Sequence, residues 1–195
     1  YESADPQGYT RWLAERNAWT GNNQLRKVTR LAKYLRDIKG LFAVKSVLLT
    51  TLLGNRISQF DQDDGQCFAD VPTSLKTLFG RLDDYLQQNR TMPEVQKPVL
   101  EQENFTRHWD ERKYSNFRKN INRYRSWIDE AYDEQDRGES IRKWRKVFGD
   151  EFGKEVVLTE SKKTADAHLY EAIRSGEIVE WVRRKGAQIL KRISL

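Results

Sequence analysis

"LRKVTRLAKYLRDIKG", Leu25 to Gly40, decides the fold class of this chain. Val28, Leu31, Ala32, Leu35 and Ile38 fall at i, i+3, i+4, i+7 and i+10. That spacing is one apolar stripe of an α-helix, expected over Asn23 to Lys39. Gly40 follows as a natural C-terminal cap. Arg26, Arg30, Lys33 and Asp37 lie three and four apart and project from the opposite face.

The same period runs outward in both directions. Asp5-Pro6 opens a first helix, because Asp caps well and Pro is tolerated in the first helical position. It carries Trp12 and Trp19, and "TGNN" (Thr20 to Asn23) breaks it. Downstream, "AVKSVLLTTLLGNRI" is apolar nearly all round, the mark of a helix buried at the centre of a domain. "DQDDGQCFAD" reads as a loop. "VPTSLKTLFGRLDDYLQQN" is a helix with Leu75, Leu78, Leu82 and Leu86 as its stripe. "TMPEVQKPVL" has two Pro and reads as an extended crossing. A long helix follows, with Tyr114, Phe117, Ile121, Tyr124 and Ile128 on one side. A shorter one stops at Gly149. "KEVVLTESKKTAD" reads as linker or one short strand, and the rest as helix. Strand signal is nearly absent, so the chain is expected to be mainly α.

Composition sets the outer limits. Of 195 residues, 37% are apolar and 33% charged, with six Trp, which suits one domain, or one domain with an appendage. The net charge of +6 permits an anionic partner without requiring one. Cys67 is the single cysteine, so no internal disulfide forms and a reducing, cytoplasmic setting is expected. With no His beside it, Cys67 reads as structural rather than nucleophilic. No stretch is long and apolar enough to span a bilayer. The opening residues lack Met and read as a loop already in progress, so a larger parent protein is expected.

Few residues carry chemistry. His108 and His168 stand sixty apart, with no clustered ligands for structural zinc. Asp61, Asp63 and Asp64 form an acidic loop without the calcium-loop pattern, and read as a solvated turn. No Walker or dinucleotide loop is present. A basic region remains: Arg26, Lys27, Arg30, Lys33, Arg36, Lys39 and Lys45, with Asp37 the only acid among them. Such a face suits phosphate oxygens of a nucleotide or nucleic acid, or it is simply a solvated helix back. In the tail, Ile178, Val182, Ile189 and Ile193 share a helix face beside Arg183, Arg184, Lys185, Lys191 and Arg192. That face suits an anionic surface, a partner's groove or the protein's own core.

"LRKVTRLAKYLRDIKGLFAVKSVLLTTLLGN" resembles the first two helices of the C-terminal lobe of bacterial cyclic-oligonucleotide synthases. These are nucleotidyltransferases of anti-phage signalling, similar to animal oligoadenylate synthetase and cyclic GMP-AMP synthase. "ADVPTSLKTLFGRLDDYL" resembles the next helix of that lobe. "MPEVQKPVLEQENFTRHWDERKYSNFRKNI" resembles its segment with a Pro-Val pair and a Glu-Asn-Phe turn. "WRKVFGDEFG" resembles its close, and "ADPQGYTRWLAERNAW" the linker leaving the catalytic core. The resemblance covers residues 1 to 153.

The resemblance implies a three-part chain. Residues 1–22 would be linker and incoming helix, 23–153 the helical lobe, and 154–195 a linker and tail open to a regulatory partner. It implies a catalytic core upstream, with a Gly-Ser turn, an Asp-x-Asp pair and a third Asp. Those carboxylates would hold magnesium and join ATP or GTP into cyclic di- or trinucleotides. This chain alone is then expected to be inactive. Lys33 matches the family's lysine facing the cleft, where it contacts nucleoside triphosphate. Ser46 matches the small polar residue that meets the same phosphates. Arg26, Arg30 and Lys45 join them as nearby candidates on charge alone. The family often has Tyr at the next position, where this chain has Val47. The rival expectation is a standalone helical module that binds RNA or DNA phosphates.

Overall fold

The Leu25–Gly40 stretch forms a helix, and its neighbours explain where it begins. In the computed structural model α1 spans Pro6–Trp19 and α2 spans Gln24–Lys39. Asn22 and Asn23 take left-handed backbone (φ 42 and 59°), which turns the chain sharply between the two helices. Asn23 does not cap α2 with its own side chain. Instead the end of α1 does so. The Leu25 N–H donates to Thr20 Oγ1 (3.2 Å), and the Arg26 N–H donates to Asn17 Oδ1 (3.1 Å). Two N–H groups that a helix start leaves unpaired are thereby satisfied. At the other end Gly40 is left-handed (φ 57°), and its N–H donates to Arg36 O (3.0 Å).

The structure describes residues 6–40, 44–107 and 109–151, with 171, 173, 174 and 179; for 100–103 it gives the backbone only. After α2 come α3 (Ser46–Gly54), a single 3-10 turn (Gln59–Gln62) and α4 (Val71–Gln88). A short hairpin follows, β1 (Gln96–Lys97) with β2 (Leu100–Asn104), then α5 (Glu111–Tyr132) and α6 (Arg137–Phe148). Asp70, Asp110 and Asp136 cap α4, α5 and α6, each accepting a backbone N–H from three residues ahead.

The predicted stripes are the core. Leu25, Val28, Leu31, Ala32 and Leu35 of α2 are buried against α4, and Leu75, Leu78, Leu82 and Leu86 of α4 are buried with them. Tyr114, Phe117, Ile121, Tyr124 and Ile128 of α5 fill the space between α4 and α6. Each large apolar side chain so buried contributes about 1.5–3 kcal/mol. Helix α3 is buried along Leu48 to Gly54, as an all-apolar sequence requires. α1 lies over it so closely that a Cβ at Gly54 would stand 2.5 Å from the Trp12 ring.

Two features differ from the sequence reading. The extended crossing is an antiparallel hairpin, with Gln96 opposite Asn104 and Lys97 opposite Leu100. Pro98 supplies the fixed φ of its two-residue turn. Asp61 is buried rather than solvated. Its carboxylate takes both Arg81 guanidinium nitrogens (2.7 and 2.9 Å) and the Ser58 N–H (2.8 Å). Burial pushes this carboxyl up, but Arg81 and Ser58 outweigh it and hold it below the usual range. A few tail residues follow one of the alternatives read from the sequence: Ile173 and Val179 are buried in the core, and Arg174 lies 3.6 Å from Asp70. At those positions the tail packs on its own protein. The remaining tail residues, and both histidines, lie outside the described residues.

The buried phenols make the fold sensitive to alkali. Burial pushes Tyr114 and Tyr124 up to about 12 from an ordinary 10.0. Above pH 10 the unfolded chain therefore loses phenolic protons that the folded chain keeps. Stability contributed by these groups is whole below pH 10 and is lost as pH rises toward 12. Unfolding followed by urea at stepped pH should show a falling midpoint above pH 10. A flat midpoint across that window would contradict the burial of both rings.

Candidate functional site

The α2–α3 corner gathers most of the predicted residues. Arg30 is exposed on the outer face of α2, and Lys33 is half-buried one turn on. Arg36 follows, and its guanidinium spans the corner. Its Nη1 donates to Val44 O and to Ser46 Oγ (both 3.0 Å), and its Nε donates to Asp37 Oδ1 (2.7 Å). Ser46, first residue of α3, is thus fixed to α2 by a side chain that resemblance did not single out. Arg36 was visible in the sequence only as one cation among seven.

The electrostatics of Lys33 are unusual. Burial pushes its ammonium down from the ordinary value, Arg36 and Arg30 push it further, and only Asp37 opposes. Among the described residues Lys33 makes no ion pair. Among the described residues, the charges that act on the Lys33 ammonium are those of Arg36, Arg30 and Asp37. The first N–H groups of α3 also lack partners inside the helix, and the helix dipole adds positive potential there. Such an arrangement suits an oxyanion with several charges.

The other candidates stand at the margin or outside. Arg26 is exposed one turn before Arg30. Lys45 is exposed and extended (φ −62°, ψ 141°) just before α3, and its side chain makes no cap bond. Lys39 leaves the cluster: its ammonium donates to Lys146 O (2.9 Å) and lies over the Trp127 ring (5.6 Å). It ties α2 to α6 and is not part of the corner. Val47, next to Ser46, is exposed.

Neither of the remaining sequence features forms a reactive centre. Cys67 Sγ donates to Asp64 Oδ2 (3.1 Å), which pushes the thiol up and away from thiolate. Among the described residues no group of three or more His, Cys, Asp or Glu side chains could hold a metal ion. The magnesium implied by resemblance therefore has no donor set within them. No helix among the described residues is long and apolar enough to cross a membrane.

No protein-family model matches the chain, and no curated protein does. Solved structures do. Escherichia coli MS115-1 CdnC, determined with ATP, superposes with a TM-score of 0.57 at 20% identity, covering 72% of this chain and 49% of that one. The same protein in a CdnC:HORMA-deltaN complex gives a TM-score of 0.53 at 18% identity, covering 71% and 49%. The chain spans about half the length of the structures it matches. This chain therefore has the fold of part of E. coli CdnC, and is mainly helical as its sequence requires.

Proposed function

We propose that the chain is the helical C-terminal lobe of a nucleotidyltransferase that makes cyclic di- or trinucleotides from ATP or GTP in bacterial anti-phage defence. The observation that carries this is the cation-rich α2–α3 corner on a fold shared with an ATP-bound protein. Lys33 is the triphosphate contact. Ser46 and the first N–H groups of α3 meet the same phosphates, and Arg36 holds Ser46 in position. Arg30 adds charge beside them, with Arg26 and Lys45 further out.

In this reading the lobe binds and orients, and it performs no bond-making step. Magnesium, when bound, would neutralise part of the triphosphate charge and activate the attacking hydroxyl. Its ligands would belong to a catalytic domain that residues 1–22 connect to the lobe of residues 23–153. The Lys33 ammonium supplies charge that magnesium leaves unneutralised.

The test is to incubate the 195-residue chain with labelled ATP, GTP and magnesium, beside the same chain joined to its upstream region. We expect cyclic product and pyrophosphate only from the longer protein. Turnover by the 195-residue chain itself would sink the lobe assignment.

A further inference from the structure

One face of α1 tracks along α3. Tyr9, Trp12 and Arg16 lie three and four apart on that face. The Tyr9 hydroxyl meets Thr51 Oγ1 (3.1 Å) and Val47 O (3.4 Å). The Trp12 ring covers Gly54, the last residue of α3. Arg16 Nη1 donates to Ile57 O (2.8 Å), just beyond. These contacts advance together along both chains, so α1 runs parallel to α3 and is held in one register. Gly54 sets how close the pair lies, because a side chain there would displace the Trp12 ring.

At the start of α3 the bonds form a chain with one direction. The Thr51 hydroxyl has a single proton and donates it to Val47 O (2.9 Å). Thr51 Oγ1 is therefore the acceptor for the Tyr9 phenol, and Thr51 is fully buried. Bonds linked in this way strengthen one another. Burial pushes the Tyr9 phenol up from its ordinary value, with the Thr51 bond opposing, so the phenol keeps the proton it donates. Its ring is fixed by Trp12 (centroids 5.4 Å apart) and by the edge of Phe105 (6.4 Å). Beside this chain, Thr50 Oγ1 donates to Ser46 O (2.7 Å), and Arg36 holds Ser46 Oγ. The Ser46 and Val47 carbonyls and the Ser46 hydroxyl are thus tied down. The N–H groups of Ser46, Val47 and Leu48 have no partner within the helix, whose first bond runs from the Leu49 N–H to Lys45 O.

We propose that Tyr9 is a positioning residue for phosphate binding: through Thr51 and Val47 it holds the first turn of α3 in the pose that aims the Ser46, Val47 and Leu48 N–H groups at a phosphate. The inference rests on the nucleotide reading of the α2–α3 corner, and adds to it a residue from a third helix. Tyr9 touches no phosphate itself. Without its hydroxyl the first turn is freer to fray, as helix ends do, and binding must then order it. Helix α1 accordingly does more than lead into the lobe; it braces the end of α3 that meets the ligand.

The experiment titrates the 195-residue chain with sodium tripolyphosphate at fixed ionic strength, following the Ser46, Val47 and Leu48 amide resonances. We expect a saturable shift in the wild type and weaker binding in Lys33→Ala. Tyr9→Phe removes one oxygen and should weaken binding about 3- to 10-fold. Thr51→Val should reproduce that loss, and Thr51→Ser, which keeps the hydroxyl, should bind as the wild type does. The double variant Tyr9→Phe with Thr51→Val should lose no more than either single one, because both break the same chain. All titrations are run where circular dichroism shows every variant folded, so a general loss of stability does not move the result. Unchanged affinity in Tyr9→Phe beside a loss in Lys33→Ala would overturn the role of Tyr9 and leave the corner reading standing. Additive losses in the double variant would do the same, since Tyr9 would then not act through Thr51. No saturable shift in the wild type would overturn the corner reading, and this inference with it.

Discussion

Asp83→Ala lowers the unfolding free energy by about 2–4 kcal/mol, the cost of leaving the partners of a buried carboxylate without it. Asp83 is 1% exposed, on the face of α4 turned toward α5. Its Oδ2 accepts from Asn122 Nδ2 (2.9 Å) and Arg125 Nη1 (3.1 Å), and its Oδ1 from Gln87 Nε2 (2.8 Å). Removing it leaves three donors facing a small void. The lower end of the range applies if Arg125, which is 34% exposed, transfers fully to Asp84 and Asp129. Urea unfolding gives the measurement, read as a midpoint shift at constant slope. Asp83→Asn should recover part of the loss, since it keeps the volume and one acceptor. A loss under about 0.5 kcal/mol in Asp83→Ala, the range of ordinary surface changes, would mean that α4 and α5 are held by their apolar stripes alone.

What the sequence disclosed about this fold was its apolar period. Leu75 to Leu86 and Tyr114 to Ile128 were legible because burial repeats every three or four residues along one helix. Polar partnerships over long separations were not. Asp61 sits in "FDQDDGQ", a run that reads as water-facing, and only folding brings Arg81 to it from twenty positions away. Lys39 shares a helix with Lys33 and seemed part of the same basic face, yet its partner is the carbonyl of Lys146, 107 positions on. The hairpin is not legible in the sequence because Leu100 to Asn104, "LEQEN", has no β-branched or aromatic residue. At the corner, Lys33 and Ser46 were reached through resemblance. The Arg36 bond to Ser46 needed the geometry of two helices.

Lys33→Ala, made in the longer protein, raises the Kd for nucleoside triphosphate about 10- to 100-fold, as loss of one charge-assisted contact to phosphate predicts. The same change in the 195-residue chain should leave stability unchanged or slightly higher. The sign follows from its surroundings. Burial and the nearby Arg36 and Arg30 already disfavour the ammonium, with Asp37 alone in support. In the window between the lowered pKa and 10.5 the unfolded chain binds more protons, so stability rises with pH there, and alanine removes that dependence. A binding loss without a folding loss is what separates a phosphate contact from a structural lysine. Arg36→Met is the companion, since it frees Ser46 and Val44 while sparing Lys33. It should cost both stability and affinity. Unchanged nucleotide affinity in Lys33→Ala would return the outer face of α2 to a solvated helix back. Equal losses of affinity and stability in that variant would make Lys33 a scaffold residue, and would leave the phosphate contacts to Ser46 and the start of α3.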